Sequence, residues 1–338
     1  GVMHACGHDG HASMLVGAAG SHHPEGHGPK IVTTPRWGWA DAVVAAPWSL
    51  PPRAFLGNHL LVIDGVTPLL AELASSPRTR AMQRRRRTAA ARLPLVAARA
   101  DAVLAAGRAQ IAWWSDRLRS RPGVPVIDVP FGIPETDPPP GHDEIDGVPG
   151  GWSVVLWWGG VWPWLDLDTL LAARARLGSV PVSVVVPTAP RPGSSARSIS
   201  AEDLSAAALK HGLEPPAVVA LERWVPYAER HRILNRAALL AVLHHTGRET
   251  DLSFRTRALD GLWAGIPLLV SEGGAVSEQI RVGGWGAVVP PHEVGATAAA
   301  MDLLLGGHER DRCCRALAGH RDAWRWSLVA QPAADVLA

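Results

Sequence analysis

Lysine is almost missing from this chain: Lys30 and Lys210 are the only two among 33 basic residues, and the rest are arginine. Phenylalanine and tyrosine are scarce as well, 3 and 1 against 15 tryptophans. With abundant alanine, this bias points to GC-rich coding and not to a function. The net charge of +2 argues for no particular partner, and no nucleic-acid-binding motif accompanies the arginines. Only three cysteines occur, Cys6 and the adjacent pair Cys313 and Cys314; neighbours in sequence are poorly placed for a structural disulfide, so nothing calls for an oxidising compartment. No apolar run reaches the roughly 18 to 20 residues that span a bilayer, and a signal-peptide layout is missing from the N-terminus. A cytoplasmic protein is expected.

What is present is a globular composition, 47% hydrophobic and 19% charged, in a chain whose 338 residues suit two domains. From Trp37 onward short apolar runs alternate with helical ones. Asp41–Pro47, Leu60–Asp64, Ala102–Gly107, Ser153–Trp158, Val182–Val186, Val218–Leu221, Leu239–Leu243, Ile266–Val270 and Ala287–Val289 read as buried strands, and strands alternating with helices imply parallel sheets. The Gly/Pro/Asp-rich stretch at residues 137–150 reads as a domain boundary. The expected division is residues 1–36 as a fragment and linker, 37–136 as a first domain, 151–308 as a second, and 309–338 as a helical tail. Residues 78–100 form an arginine-rich helix with Arg84–Arg87 in a row. A solvated face accounts for it; contact with an acidic membrane surface is the alternative.

The stretch Glu249–Gly274 carries the densest signal. Asp251 and Ser253 are good N-cap residues, and Phe254, Ala258, Leu262 and Trp263 recur at helical spacing, which predicts a helix starting near Ser253. Gly265 and Pro267 end it. A helix N-terminus at a strand end offers unpaired N–H groups to an anion, and Arg255 and Arg257 add full charges. Asp260, seven residues after Ser253, would lie on the same face and reach a sugar hydroxyl. Phosphate and hydroxyl together suggest a nucleotide. An ordinary capped helix of an α/β domain is the bland alternative.

This stretch resembles the donor segment of the retaining, group 1 (family 4-like) GT-B glycosyltransferases. That pattern is a Glu, then Phe-Gly, a second Glu eight places after the first, and Ala-Gly-x-Pro. Asp260 holds the second acidic place, and Ala264, Gly265 and Pro267 match the ending; Leu252 stands in the first, with Glu249 and Asp251 beside it. Some members carry a closer run, LSFRTRxLDxLWAGxP. Val124–Pro134 resembles the last strand of the first GT-B domain. Gly159-Gly160 followed by Trp162, Trp164 and Asp166 resembles the opening of the second, and Trp224-Val225-Pro226 the segment against the nucleotide base.

The resemblance implies two Rossmann-like domains with parallel sheets, the first incomplete, and transfer of a hexose from a nucleoside diphosphate sugar to an acceptor hydroxyl, saccharide or lipid-linked. No cofactor is required and membrane contact is at most peripheral. Glu249 and Asp260 are then the acids at the sugar, and Gly159, Gly160, Trp224, Val225, Pro226, Ser253, Phe254, Arg255, Arg257, Gly273, Gly274 and Glu278 the donor contacts. A general base is not visible.

Residues 1–20 resemble something else, the metal motif of amidohydrolases related to hippurate hydrolase and the aminoacylases, with Cys6 and His8 as ligands and His11 and Asp9 nearby. An acidic pair expected about 35 residues on is absent; only Asp41 stands there. Transferase, zinc-dependent amidohydrolase and non-catalytic nucleotide-sugar-binding remnant therefore all stay open. Deleting residues 1–30 is expected to leave the melting temperature within a few degrees; a larger loss, or a stoichiometric zinc removed with the segment, would show that it belongs to the working protein.

Overall fold

A computed structural model describes residues 42–48, 50, 55–56, 58–190, 192 and 199–337. Cys6 and His8, with the amidohydrolase-like segment and the following linker, lie outside the described residues. The chain divides into two units. The first comprises the described residues up to Glu135 together with Asp251–Phe254 and the end of the chain from Ala323; the second comprises Thr136–Thr250 and Arg255–Asp322.

The first unit is a parallel sheet of β1 (Ala42–Ala45), β2 (Leu60–Asp64), β3 (Ala102–Ala105) and β4 (Val126–Asp128), ordered 1-2-3-4. Its central strands β2 and β3 are buried, apart from the first residue of β2, as parallel strands covered on both faces are, while the edge strands β1 and β4 are half-buried to exposed. Helix α1 (Leu69–Ser75) and α2 (Arg80–Arg99) connect β2 to β3, and α3 (Arg108–Arg117) connects β3 to β4. Thr79 caps α2 by accepting the Met82 N–H. That helix buries Ala89, Leu93, Val96 and Ala97, while Arg84–Arg87 face solvent. Trp114 fills the core beside Leu61, Ile63 and Val103, and its indole N–H donates to the Gly65 carbonyl at 3.0 Å.

Two later segments complete this unit. Gln110 donates to the carbonyls of Val66 and Leu252, and Phe254 is buried beside Phe131 and Trp324, 5.3 and 6.3 Å between ring centroids. Ile133 exchanges backbone hydrogen bonds with Trp324 and Trp326.

The second unit holds six parallel strands: β5 (Ser153–Trp157), β6 (Val182–Pro187), β7 (Val218–Leu221), β8 (Leu239–Val242), β9 (Leu268–Ser271) and β10 (Gly286–Val289). Their order is β10-β9-β8-β5-β6-β7. The connections are α4 (Leu167–Arg176), α5 (Ala201–Leu209), α6 (Arg230–Leu234), a pair α7 (Arg248–Leu252) and α8 (Arg257–Ala264), and α9 (Gly274–Gly283); α10 (Val294–Leu305) and α11 (Gly307–His320) follow the last strand, and α12 (Trp326–Val329) and α13 (Gln331–Leu337) close the chain. Asp166 caps α4 as its residue type predicts, its carboxylate accepting the Thr169 N–H. No described helix is long and apolar enough to cross a membrane.

The helix expected from Ser253 starts late, and a separate short helix precedes it. Helix α7 ends at Leu252 and α8 begins only at Arg257, because Arg255 between them sits in the left-handed region at φ 59°. Ser253 is buried and its hydroxyl caps nothing: α8 starts after Thr256 with no side-chain cap. The expected end is where it should be, with Gly265 left-handed at φ 71°. Helix α9 is an addition to the sequence reading.

Gly286 pairs with Leu268 so closely that a Cβ there would lie 1.9 Å from the Leu268 carbonyl oxygen. Gly286→Ala must push β10 off β9 and is expected to cost about 3 kcal/mol, the upper range for overpacking; a urea midpoint within error of the parent would refute this contact.

Candidate functional site

The first three strands of the second unit run outward from β5 in one direction and the last three from β8 in the other. That is the doubly wound 3-2-1-4-5-6 order, and it splits the connections apart above the carboxyl ends of β5 and β8, where such sheets bind ligands. Trp158-Gly159-Gly160 leaves β5 at this crevice, and Leu243-His244-His245 leaves β8. The two exits are tied together: Asp166 N–H donates to the Leu243 carbonyl and His245 N–H to the Trp164 carbonyl, each at 2.9 Å. Trp162 and Trp164 stack on one another beside this tie.

Asp260, in the first turn of α8, faces the crevice as a held carboxylate. Its Oδ2 accepts the Trp158 indole N–H at 3.0 Å and its Oδ1 accepts the Arg230 Nε–H at 2.9 Å. Arg230 is itself clamped, its guanidinium over the rings of Tyr227 and Trp263 at 3.7 and 3.9 Å and bonded to the Tyr227 carbonyl. Burial pushes the Asp260 carboxyl above its usual value of 3.8, against the pull of Arg230 and Trp158. Neither Trp158 nor Arg230 was singled out from sequence; Arg230, three residues after Tyr227, shared no motif with Asp260.

Arg257 lies against Gly159, whose φ of +92° and lack of a Cβ admit the guanidinium: a Cβ there would be 3.2 Å from Arg257 Nε. Arg255 is placed differently. It is buried, and it donates to the backbone carbonyls of Ser271 and Glu272 at the end of β9. This clamps the turn before α8 to the strand that leads into α9. Gly273, at φ +101°, is required there because a Cβ would meet Thr250 at 2.9 Å and Arg255 at 3.3 Å. Helix α9 then begins at Gly274 with no side-chain cap, leaving its first N–H groups to other partners.

Glu249 is buried on α7, with its carboxylate 3.1 Å from Nδ1 of His244, equally buried. Burial, then the charges of Arg255 and Arg257 and the neighbouring His245, hold the His244 ring well below its ordinary 6.5. It is therefore neutral, with Nδ1–H donated to Glu249. Trp224 stands exposed beyond β7, with Val225 half-buried and Pro226 exposed. Glu278 is exposed on α9 and paired with Arg281 at 2.8 Å. Ser253 and Phe254 belong to the first unit, where Phe254 serves as a packed aromatic.

Against solved structures, the chain is similar to WaaG, a glycosyltransferase involved in lipopolysaccharide biosynthesis, at 17% identity and a TM-score of 0.63 over 88% of this chain and 78% of that one. Sucrose-phosphate synthase from Thermosynechococcus elongatus superposes at 0.62 with 16% identity over 89% and 74%. Anabaena HepE in complex with UDP-glucose superposes at 0.57 with 16% identity over 88% and 78%. The fold is that of GT-B glycosyltransferases. No protein-family model and no curated protein matches the sequence. Within this GT-B-type fold, Glu249 and Asp260 lie in the second unit on different helices, while Leu252, at the first acidic place of the pattern, belongs to the first unit.

Because His244 is neutral when folded and binds a proton near 6.5 when unfolded, the unfolded state takes up more protons as the pH falls. His244 therefore contributes stability that is present above 6.5 and lost on acidification below it, by up to about 1.4 kcal/mol per pH unit. Chemical denaturation of wild type and His244→Gln between pH 7.5 and 5.5 should show the gap shifting toward the variant as pH drops; a pH-independent gap would contradict the buried neutral ring.

Proposed function

We propose that this protein is a hexosyltransferase that binds a nucleoside diphosphate sugar in its second unit and passes the sugar to an acceptor hydroxyl. The observation that carries this reading is the juxtaposition, at the β5/β8 crevice, of Arg257 against the Gly159-Gly160 turn with the held carboxylate of Asp260 one helical turn further along. Diphosphate charge is met by Arg257 and the open N-terminus of α9 at Gly273-Gly274, a pairing of full charge with backbone N–H groups that stabilises a departing anion. Arg255 acts by fixing the turn that presents both. Asp260 accepts from a ribose or sugar hydroxyl, and Glu249 is the second acid, oriented by His244. Trp224, Val225 and Pro226 offer an exposed ring and backbone for the base. UDP-glucose bound to HepE supports a uridine nucleotide as the first donor to test.

Residues 37–136 would form the acceptor side and residues 151–308 the donor side, with the acceptor a saccharide or lipid-linked saccharide. A cytoplasmic location accords with the cysteine usage. The exposed arginines of α2 would limit any membrane contact to the periphery.

Calorimetry of the full chain with nucleoside diphosphates is expected to give binding that Arg257→Ala weakens for every diphosphate but not for the bare nucleoside. Asp260→Asn removes a charged acceptor worth about 1.5–3 kcal/mol, roughly 10- to 150-fold in affinity, for ligands with an intact ribose. Circular dichroism of each variant separates lost binding from lost folding. Sugar transfer lowered by both substitutions identifies a transferase; binding without transfer identifies a non-catalytic binder, and no binding to any diphosphate ends the reading.

A further inference from the structure

Asp166, His245 and His292 converge beyond the carboxyl ends of the second unit's sheet, and no part of the donor reading uses them. The aspartate is buried and fixed. Its Oδ1 accepts the Thr169 N–H at 3.0 Å and its Oδ2 the Thr169 hydroxyl at 2.7 Å. Nδ1 of His292 lies 2.9 Å from that Oδ2, and Nδ1 of His245 lies 3.7 Å from it. The two imidazoles stack, 5.1 Å between centroids and 19° between planes, with each Nδ1 within 3.7 Å of that oxygen.

A hydrogen-bond account uses only part of this arrangement. Oδ2 accepts the Thr169 hydroxyl and has His292 Nδ1 at 2.9 Å; the second Nδ1, at 3.7 Å, is beyond hydrogen-bond reach. His292 Nε2 accepts the Thr246 N–H at 3.5 Å, the long limit for a hydrogen bond, so moving the ring proton to Nε2 gives up only this weak contact. His292 also adopts a left-handed backbone, φ 64°, outside the helix that follows it. Such backbones in non-glycine residues cluster where a side chain must be aimed.

We propose that these three side chains form a zinc-type divalent metal site with one coordination position open to solvent. Ligand atoms bonded at about 2.0–2.1 Å around a tetrahedral ion stand roughly 3.3 Å apart, and the two separations of 2.9 and 3.7 Å bracket that spacing. All three candidate atoms lie within 4.8 Å of one another. Two imidazoles and one carboxylate are a donor set suited to zinc. The Thr169 contacts supply the outer support that orients a ligating carboxylate. Both imidazoles are about half exposed, 42% and 48%, which gives an ion its entry. The site is independent of the donor reading and does not require that reading to hold.

The test counts zinc on chelator-stripped full-length protein by equilibrium dialysis and follows its effect on thermal unfolding. Counting must be comparative, because Cys6 and six histidines fall within the first 27 residues. The His245→Ala/His292→Asn variant keeps a residue tolerant of the left-handed backbone, and circular dichroism checks its fold. The expected result is one zinc fewer than wild type, with a zinc-induced rise of several degrees in melting temperature present in wild type and absent in the variant. Should the double variant fail to fold, His245→Ala alone is read the same way. Equal zinc counts and equal thermal shifts in wild type and variant overturn the proposal, as does zinc that binds both chains without stabilising either.

Discussion

The ion pair between Arg230 and Asp260 organises the second unit's crevice. It joins α6 to α8 and, through the Trp158 indole, reaches the end of β5. A buried pair of this kind is poor evidence of stability, since desolvation offsets most of its Coulomb gain, but removing one partner leaves the other charge stranded at about 3–5 kcal/mol. Its geometry is therefore strongly enforced. Once Asp260 is held beside Trp158, the start of α8 has little freedom, and Arg257 one turn earlier comes to rest against Gly159. A glycine with room for a guanidinium and a carboxylate with two fixed donors are consequences of the same clamp.

A second constraint acts from the other side. Arg255 turns its backbone left-handed and ties itself to the carbonyls at the end of β9. Those carbonyls lie where β9 gives way to α9, and the guanidinium supplies them with donors. The break it imposes between α7 and α8 also separates the acids: Glu249 stays on α7 against a neutral histidine, and Asp260 rides α8 against an arginine.

This break is where the sequence was least legible. Phe254, Ala258, Leu262 and Trp263 have helical spacing, but Phe254 packs with Phe131 and Trp324 while the others are buried on α8, so the spacing joined residues that serve two separate cores. Periodicity cannot see a left-handed arginine, because nothing local distinguishes it; the cause lies at Ser271 and Glu272, sixteen and seventeen residues on. The parallel strands were legible for the opposite reason. Burial on both faces makes them unbroken apolar runs, and Leu60–Asp64 and Val218–Leu221 have the ends that composition alone suggested. A helix end set by local chemistry was legible too, at Gly265. Helix α9 was not, since the two glycines at its start carry no helical periodicity, whereas the positive φ of Gly273 is what lets the chain turn out of β9 and begin again.

Identity of 16–17% to glycosyltransferases of the same fold leaves the chemistry to be argued from side chains, because a doubly wound sheet supplies a crevice whatever lines it. Asp260 is the place where that argument goes furthest. A carboxylate has about four lone-pair positions, and here Trp158 and Arg230 each take one. Two positions remain to accept from hydroxyls. An acid fixed by an indole and an arginine, and only 22% exposed, is poorly arranged to carry a proton away, since both of its oxygens are already engaged and its rotation is blocked. It is well arranged to define where a hydroxyl must lie. On the proposed reading, the role of Asp260 is then one of position and not of proton transfer.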